Sequence, residues 1–317
     1  MTKYVIKRFF QSLITILLVL TVVFLLMRLM PTDYFFTEDE LMKLPDDVRQ
    51  DRLQAAGLLD PPLVQLGRFY KQLFTRFDWG TSRRIQVNQP VTSLIGSKLG
   101  ISMRIGAVAI TISLLLGVTF GVLQARFKDK PIDHLGTAYT VFVNAVPQLV
   151  TYSLVLAFGA RVLKLPSMYS VRKLPQSMYM PIFCLSIGST ASYMLWTRRY
   201  MVDELNKDYI KLAKLKGLST QRVMFRHVLK NAFVPLIQYL PYTILLTLGG
   251  SLLVERFFSV PGLGPLLTDA ISRYDTNIVQ FLVVFYASLG ILGVFLGDLL
   301  MAVIDPRISL TGKEDVR

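Results

Sequence analysis

The segment Asp203–Pro235, DELNKDYIKLAKLKGLSTQRVMFRHVLKNAFVP, separates two apolar runs that are each long enough to cross a lipid bilayer. Nine basic residues fall between Arg198 and Lys230, against three acidic residues. Basic residues concentrate in the cytoplasmic loops of membrane proteins. The segment is therefore predicted to lie on the cytoplasmic face of a membrane protein.

The first part of this segment predicts a short helix that ends at a glycine. Apolar and lysine side chains mix from 208 to 216 in the manner of an amphipathic helix lying along a membrane face. Gly217 follows at once, and glycine commonly ends a helix because it accepts a left-handed conformation. A plain solvated loop that is basic for reasons of topology is the alternative interpretation.

The second part predicts a longer helix from 221 to 233. Ser219 or Thr220 is suited to cap it, since a hydroxyl oxygen can accept a bond from a free backbone N–H group of the first turn. Pro235 is predicted to mark the turn into the following apolar run. A short helix, a glycine hinge and a longer helix form a rigid element that another protein can bind.

The composition indicates an all-α, polytopic membrane protein. Hydrophobic residues make up 52% of the 317 residues, and the mean hydropathy is +0.47. Apolar runs near twenty residues recur, which is the length that a spanning helix needs. Six spans are predicted, at about 9–30, 99–125, 135–160, 178–196, 236–254 and 279–304.

The charge distribution predicts that both termini lie in the cytoplasm. Basic clusters flank each helix end that this topology places on the cytoplasmic side. The net charge of +14 is thus explained by membrane topology, and no nucleic-acid partner is expected. Four regions follow: the N-terminal tail and first helix 1–30, an extracytoplasmic loop 31–98, a core 99–306 that contains the cytoplasmic loop 203–235, and a tail 307–317.

Catalytic and metal-binding motifs are missing from the sequence. Cys184 is the single cysteine, and His134 and His227 are the only histidines, so no multi-cysteine or histidine-rich metal site is possible. No phosphate-binding loop of the Gly-x-x-x-x-Gly-Lys-Ser/Thr type occurs. The chain is therefore predicted not to be an enzyme, to hold no metal, and to bind no cofactor of its own.

The 208–235 segment resembles the cytoplasmic loop of ABC importer permeases, and it is most similar to the oligopeptide and dipeptide branch. Further stretches resemble that branch in the same order along the chain. They are Arg8-Phe-Phe-Gln to Pro31, Phe77-Asp-Trp-Gly80-Thr-Ser82 with Pro90-Val91, Val254-Glu-Arg-Phe-Phe-Ser-Val-Pro-Gly-Leu-Gly264, and Asp305-Pro-Arg307. The resemblance covers nearly the whole chain.

The resemblance implies a six-span permease of a bacterial inner membrane that imports peptides with the help of partner proteins. Those partners are a second permease, two ATPase subunits that hold ATP and Mg²⁺, and an extracytoplasmic substrate-binding protein. The short helix is then the coupling helix, which sits in a cleft of an ATPase subunit. Its implied residues are Asp208, Tyr209, Lys211, Leu212, Ala213, Lys214, Lys216 and Gly217.

Departures from the family pattern leave the cargo open. The general importer motif has Glu-Ala-Ala where this chain has Lys211-Leu212-Ala213, and the third span lacks the usual Ser-x-Pro around Pro147. Relatives of this branch carry nickel complexes, glutathione or glycosides, which are the alternative cargoes. A stand-alone ion-coupled carrier or channel is the alternative from a different class.

Six residues are candidates for the translocation path or its gate: Pro147, Asp298, Arg104, Pro261, Gly262 and Gly264. An ionisable residue inside a span, such as Asp298, is a functional candidate by default, although packing against another polar group explains it equally well. Arg104 either extends to the membrane surface or faces an aqueous path. The three loop residues form either an outer gate or a simple turn before the sixth span.

Overall fold

The computed structural model describes residues 2–30 and 32–304 of the 317-residue chain, and within them it contains α-helices and no β-strand. The helices are α1 Thr2–Arg28, α2 Glu38–Lys43, α3 Asp46–Ala55, α4 Pro62–Arg76, α5 Val91–Arg126, α6 Pro131–Ala145, α7 Gln148–Arg161, α8 Gln176–Leu205, α9 Asp208–Leu215, α10 Thr220–Arg222, α11 Leu229–Leu248, α12 Leu252–Phe257, α13 Leu263–Ser272 and α14 Thr276–Ile304. A π-helix, Val223–Val228, joins α10 to α11. The predicted closing triplet Asp305-Pro306-Arg307, the tail 307–317 and Pro31 lie outside the described residues.

Five long apolar helices and one bent helix pair account for the six predicted spans. The helices are α1, α5, α8, the α10–α12 stretch and α14, and the bent pair is α6 with α7. The all-α, six-span prediction is thus confirmed. The second span begins earlier than expected, because α5 already starts at Val91.

The centre of the bundle is formed by close contact between α5 and α8 and between α11 and α14. Small residues make the first contact possible, since a Cβ atom added to Gly121 would lie 2.8 Å from the carbonyl oxygen of Met194. A Cβ atom added to Gly297 of α14 would lie 2.0 Å from the carbonyl oxygen of Gln238. Backbone meets backbone at both places, so these helix pairs are fixed in register.

The third predicted span consists of two helices that are bent by 108° relative to each other. α6 ends at Ala145, Val146 adopts an extended conformation, and Pro147 precedes α7. Proline has no N–H group to donate, and it pushes the residue before it away from the helical region. The break therefore follows from Pro147.

The fifth span also differs from the prediction. Pro235 lies inside α11 and does not mark a turn, so the helix after Gly217 continues directly into the span. The π-helix Val223–Val228 joins α10 to α11 without a loop. The helix ends instead at Gly249, and Gly250 takes φ +100° before the short α12 begins.

The short helices α2, α3 and α4 follow α1 and precede α5 in the sequence, and they form a small layer whose α4 packs on α1. Leu73 of α4 is buried in this contact. Thr37 and Glu40 cap α2 reciprocally, and the backbone N–H group of Thr37 holds the pKa of the Glu40 carboxyl below its usual range.

One buried carboxylate fastens the end of this layer to the last span. Asp275 is fully buried just before α14, and its Oδ2 accepts a 2.6 Å bond from the Ser82 hydroxyl. The same oxygen accepts bonds from the backbone N–H groups of Arg83, Arg84 and Ile85. Sequence analysis did not single out Asp275.

Candidate coupling helix and membrane groove

The short helix predicted before Gly217 is present as α9, and it ends in a glycine-based cap; its coupling role stays a prediction. Gly217 has φ +79°, its N–H group donates to the carbonyl oxygen of Lys214, and the N–H group of Leu218 donates to that of Ala213. These two bonds define a Schellman motif, in which a left-handed residue closes the helix end. Ser219 then caps α10 by accepting a bond from the N–H group of Arg222. The chain thus reverses sharply between two helices.

The inner face of α9 is part of a buried apolar cluster. Ile210 is fully buried and Ala213 is 8% exposed. They pack with Met201 of α8, with Ala125 at the end of α5, and with the π-helix. A movement of α9 therefore has to move the ends of three membrane-spanning elements.

A polar network on the flank of α9 adds a second attachment. The Tyr209 hydroxyl donates a short hydrogen bond to Glu204 of α8, and it accepts a 2.7 Å bond from Asn231 of α11. Burial of the phenol, together with the bond to Glu204, raises the pKa of Tyr209 to about 12. The phenol therefore stays protonated and links α8, α9 and α11 at neutral pH.

The outer face of α9 is open to solvent. Leu212 is 53% exposed and Leu215 is 84% exposed, and Lys211, Lys214 and Lys216 surround them. Lys211 pairs with Asp208 one turn away at 2.8 Å. The two leucines thus form a small exposed apolar patch with a cationic border.

A groove lined by uncharged residues runs along the helices α6, α7, α8 and α11. It is formed by a cavity of about 360 Å³ between α6, α7, α8 and α11, and by a neighbouring cavity of about 430 Å³ that shares Tyr239 and Tyr242 with it. Its polar lining includes Asn144, Gln148, Ser189, Ser192, Thr243 and Thr247. Among the described residues that line the two cavities, none carries a charge. We refer to these two cavities together as the groove.

None of the six predicted path or gate residues lines the groove. Asp298 is 7% exposed, accepts a 3.1 Å bond from Gln238, and lies 3.3 Å from the guanidinium of Arg8. It ties α14 to α1 and α11. Arg104 lies on the far side of α5, beside an apolar cleft, and Pro147 forms the helix break next to the groove residue Gln148.

Two of the three predicted gate residues, Gly262 and Gly264, pack against a buried carboxylate. Glu255 of α12 is 1% exposed, and its Oε2 accepts a 2.8 Å bond from the N–H group of Gly264. A Cβ atom on Gly262 would lie 2.4 Å from both that carboxylate and the Ser102 hydroxyl. Pro261, beside Gly262, is partly exposed. Glycine is thus required at 262 by the close approach of the chain, and a role in gating remains a prediction.

The residues that form the groove and its cross-links were not predicted from the sequence. Tyr193 of α8 shares a 2.5 Å hydrogen bond with Thr243 of α11, at the groove wall. Uncharged tyrosine, serine and threonine residues in apolar runs resemble ordinary packing residues. The only available signal was the spacing of Tyr239, Tyr242 and Thr243, which places them on one side of a helix.

The bent third span, the solvent-facing α9 and the uncharged groove together define a membrane-embedded transport subunit. Residues 117–310 match the family described as binding-protein-dependent transport system inner membrane component. The chain belongs to this family, and it is a multi-pass protein of the cell membrane. The family is defined by transport and not by catalysis.

Relatives in the same family match along nearly the whole chain. The dipeptide transport system permease protein DppB of Bacillus subtilis is 32% identical over 99% of this chain and 100% of its own. The oligopeptide transport system permease protein OppB of Haemophilus influenzae is 30% identical over 97% and 99%. The family resemblance noted from the sequence is thereby confirmed.

Solved structures share the fold of the core. The MetNI methionine ABC transporter in an inward-facing conformation matches with a TM-score of 0.52 and 15% identity, over 68% of this chain and 97% of the other. An amino acid ABC transporter matches with a TM-score of 0.52 and 18% identity, over 68% and 95%. These likenesses concern the fold alone.

Proposed function

We propose that this chain is a permease subunit of an ATP-driven importer of peptides. The names of the relatives support peptides as cargo, since they describe dipeptide and oligopeptide transport systems. Nickel complexes, glutathione or glycosides are the alternative cargoes within the same architecture. The partners proposed are a second permease, two ATPase subunits that bind ATP and Mg²⁺, and an extracytoplasmic binding protein.

The observation that carries the proposal is the division of α9 into two faces. Ile210 and Ala213 anchor it to the ends of α5 and α8 and to the π-helix, whereas Leu212 and Leu215 face solvent. A helix held on one side and apolar on the other transmits force from a partner to the membrane core. An ion-coupled carrier that works alone has no need of such a helix.

The proposed mechanism follows from the continuity between α9 and the groove. Closure of the ATPase pair on ATP moves α9, and the Schellman cap at Gly217 passes this movement to the helix that begins at Thr220. The same helix carries Tyr239 and Thr243 of the groove wall. The groove then opens toward the binding protein, which delivers the peptide.

The uncharged lining of the groove supports a path for varied peptides. Hydroxyl and amide groups exchange hydrogen bonds with a peptide backbone, and tyrosine faces contact apolar or cationic side chains. A fixed charge in the wall would bind one class of side chain tightly and repel the other. The groove is open on one side, where the second permease is proposed to complete the path.

The test places a charge on the exposed face of α9. Leu212→Asp and Leu215→Asp are expected to weaken the association of ATPase subunits about tenfold or more, because each removes an apolar contact worth about 1.5–3 kcal/mol at the interface. Leu63→Asp, at a 75% exposed leucine of α4, is the matched control. Co-purification of ATPase subunits and peptide uptake are measured together.

The outcomes separate the proposal from its alternatives. Normal association and uptake in both α9 variants would contradict the coupling role. Uptake by the purified chain in liposomes without ATPase subunits would identify a stand-alone carrier. Intact ATP-driven transport of a nickel complex, with no uptake of peptides, would retain the mechanism and change the cargo.

A further inference from the structure

The loop between α7 and α8 is basic where a membrane protein of this topology is expected to be neutral or acidic. It lies at the end of α8 opposite to α9. From 161 to 176 it holds Arg161, Lys164, Arg172 and Lys173 and no acidic residue. Short loops on the side opposite to the cytoplasm normally hold few cations. These four cations therefore call for an explanation other than topology.

The four cations are exposed, and the described residues supply no counter-ion for them. None of them forms an ion pair with any residue of the described chain. Lys164 sits in a left-handed conformation with φ +55°, between Leu163 and Leu165. Both of those leucines line a cavity, so the charged loop forms its rim.

That cavity is a large apolar cleft of about 910 Å³ between α5, α7 and α8. Its wall includes Val108, Leu154, Phe158 and Phe183, which are each between 46% and 59% exposed. Arg104 is the only charged residue among those that line it. An open apolar surface of this size in a spanning bundle is suited to hydrocarbon chains.

The charged group lies at one end of the cleft, and the apolar wall extends away from it along α5. Arg104, Val108 and Ile112 lie four residues apart on one face of α5, so the cleft extends about 12 Å along this helix. Arg104 is the member nearest to the beginning of α5, and Met178 and Tyr179 at the beginning of α8 line the same cleft. The guanidinium therefore lies at the end of the cleft that the basic loop borders.

We propose that this cleft is a binding site for an anionic glycerophospholipid. Its acyl chain lies against Val108, Phe158 and Phe183, and its phosphate group lies between Arg104 and the basic loop. A guanidinium pairs well with phosphate oxygens, and each cation near an anionic lipid surface strengthens the attraction. A lipid fits better than an acidic protein segment, because the apolar wall is continuous with the charged rim.

The experiment measures lipid retention and does not depend on transport. The full-length chain, purified in detergent, is mixed with phosphatidylglycerol or with phosphatidylcholine of the same acyl chains, and bound lipid is counted by native mass spectrometry. The variants are Arg104→Gln and the double change Lys164→Gln with Arg172→Gln. Arg126→Gln, an exposed arginine at the other end of α5, is the matched control.

The proposal predicts that each neutralised cation lowers the apparent affinity for phosphatidylglycerol about fivefold. Arg126→Gln and the wild type are expected to bind it equally, and phosphatidylcholine is expected to bind weakly to all variants. Equal retention of phosphatidylglycerol by variants and control overturns the proposal. So does equal retention of the two lipids by the wild-type chain.

A further outcome distinguishes a lipid from a protein partner. If the double variant loses association with an acidic extracytoplasmic protein while it retains phosphatidylglycerol fully, the loop is a protein-docking surface and the lipid proposal is wrong. Since lipid retention is measured on the isolated chain, failure here leaves the proposed importer function intact. Failure of peptide uptake likewise leaves the lipid site intact.

Discussion

Replacement of Gly217 tests whether the sharp connection between α9 and α10 transmits force. The residue has φ +79°, and a Cβ atom added to it would meet no atom within 4 Å. The effect of a substitution therefore comes from backbone conformation alone and not from a steric clash. At few positions in the chain can the conformational effect of a substitution be separated so clearly from a steric effect.

The structure predicts a graded series of effects. A left-handed conformation costs an alanine about 1–2 kcal/mol more than a glycine, and asparagine less than alanine. Gly217→Pro also removes the N–H group that donates a 2.9 Å hydrogen bond to the carbonyl oxygen of Lys214, and it fixes φ at a negative value. We expect a total cost of roughly 3 kcal/mol or more for proline, which destroys the cap.

The assay is the ratio of peptide imported to ATP hydrolysed, measured on the assembled transporter in proteoliposomes. We expect this ratio to fall in the order glycine, asparagine, alanine, proline, with membrane insertion and basal hydrolysis retained. Gly67→Ala is the matched control, because Gly67 also has open space around it but no positive φ. A normal ratio in the proline variant would refute the coupling role of this connection.

Two further predictions concern the packing of the spans and of the outer layer. Asp275→Ala leaves the Ser82 hydroxyl and three backbone N–H groups without their buried acceptor. We expect the free energy of unfolding to fall by about 3 kcal/mol and the 82–90 loop to be cleaved faster by proteases. Asp51→Ala, at an exposed aspartate, is the control. Gly297→Ala forces a methyl group onto the carbonyl oxygen of Gln238 and is expected to lower the unfolding temperature in detergent. Gly290→Ala, where the nearest atom is 3.6 Å away, should leave it unchanged.

The spans and the short helix before Gly217 could be predicted from the sequence because both rest on local signals. Length and apolar content define a span, and Gly217 with its flanking lysines defines the short helix. The prolines were harder to interpret. Pro147 breaks a span, whereas Pro235 lies inside one without interrupting it, and the local sequence does not distinguish the two cases.

The groove and the contacts around it could not be predicted because they depend on contacts between distant segments. Asp298 was predicted as a functional candidate because it is a charged residue inside a span. In the structure it pairs with Arg8 and Gln238, which belong to two other helices. The groove is lined by serine, threonine and tyrosine, which carry no distinctive pattern along the chain. Asp275 binds residues nearly two hundred positions earlier in the sequence, and no local sequence feature predicts this contact.

The unbroken helical course from Thr220 to Leu248 has a mechanical consequence. At about 1.5 Å per residue it is roughly 40 Å long, so a tilt of about 10° around its middle shifts each end by roughly 4 Å in opposite directions. One end packs on α9 through Val223 and Val228, and the other carries Thr243 and Thr247 of the groove. Inward movement at the end beside α9 is then outward movement at the end beside the groove. In the proposed mechanism, this pivot widens the groove at one end while it narrows it at the other.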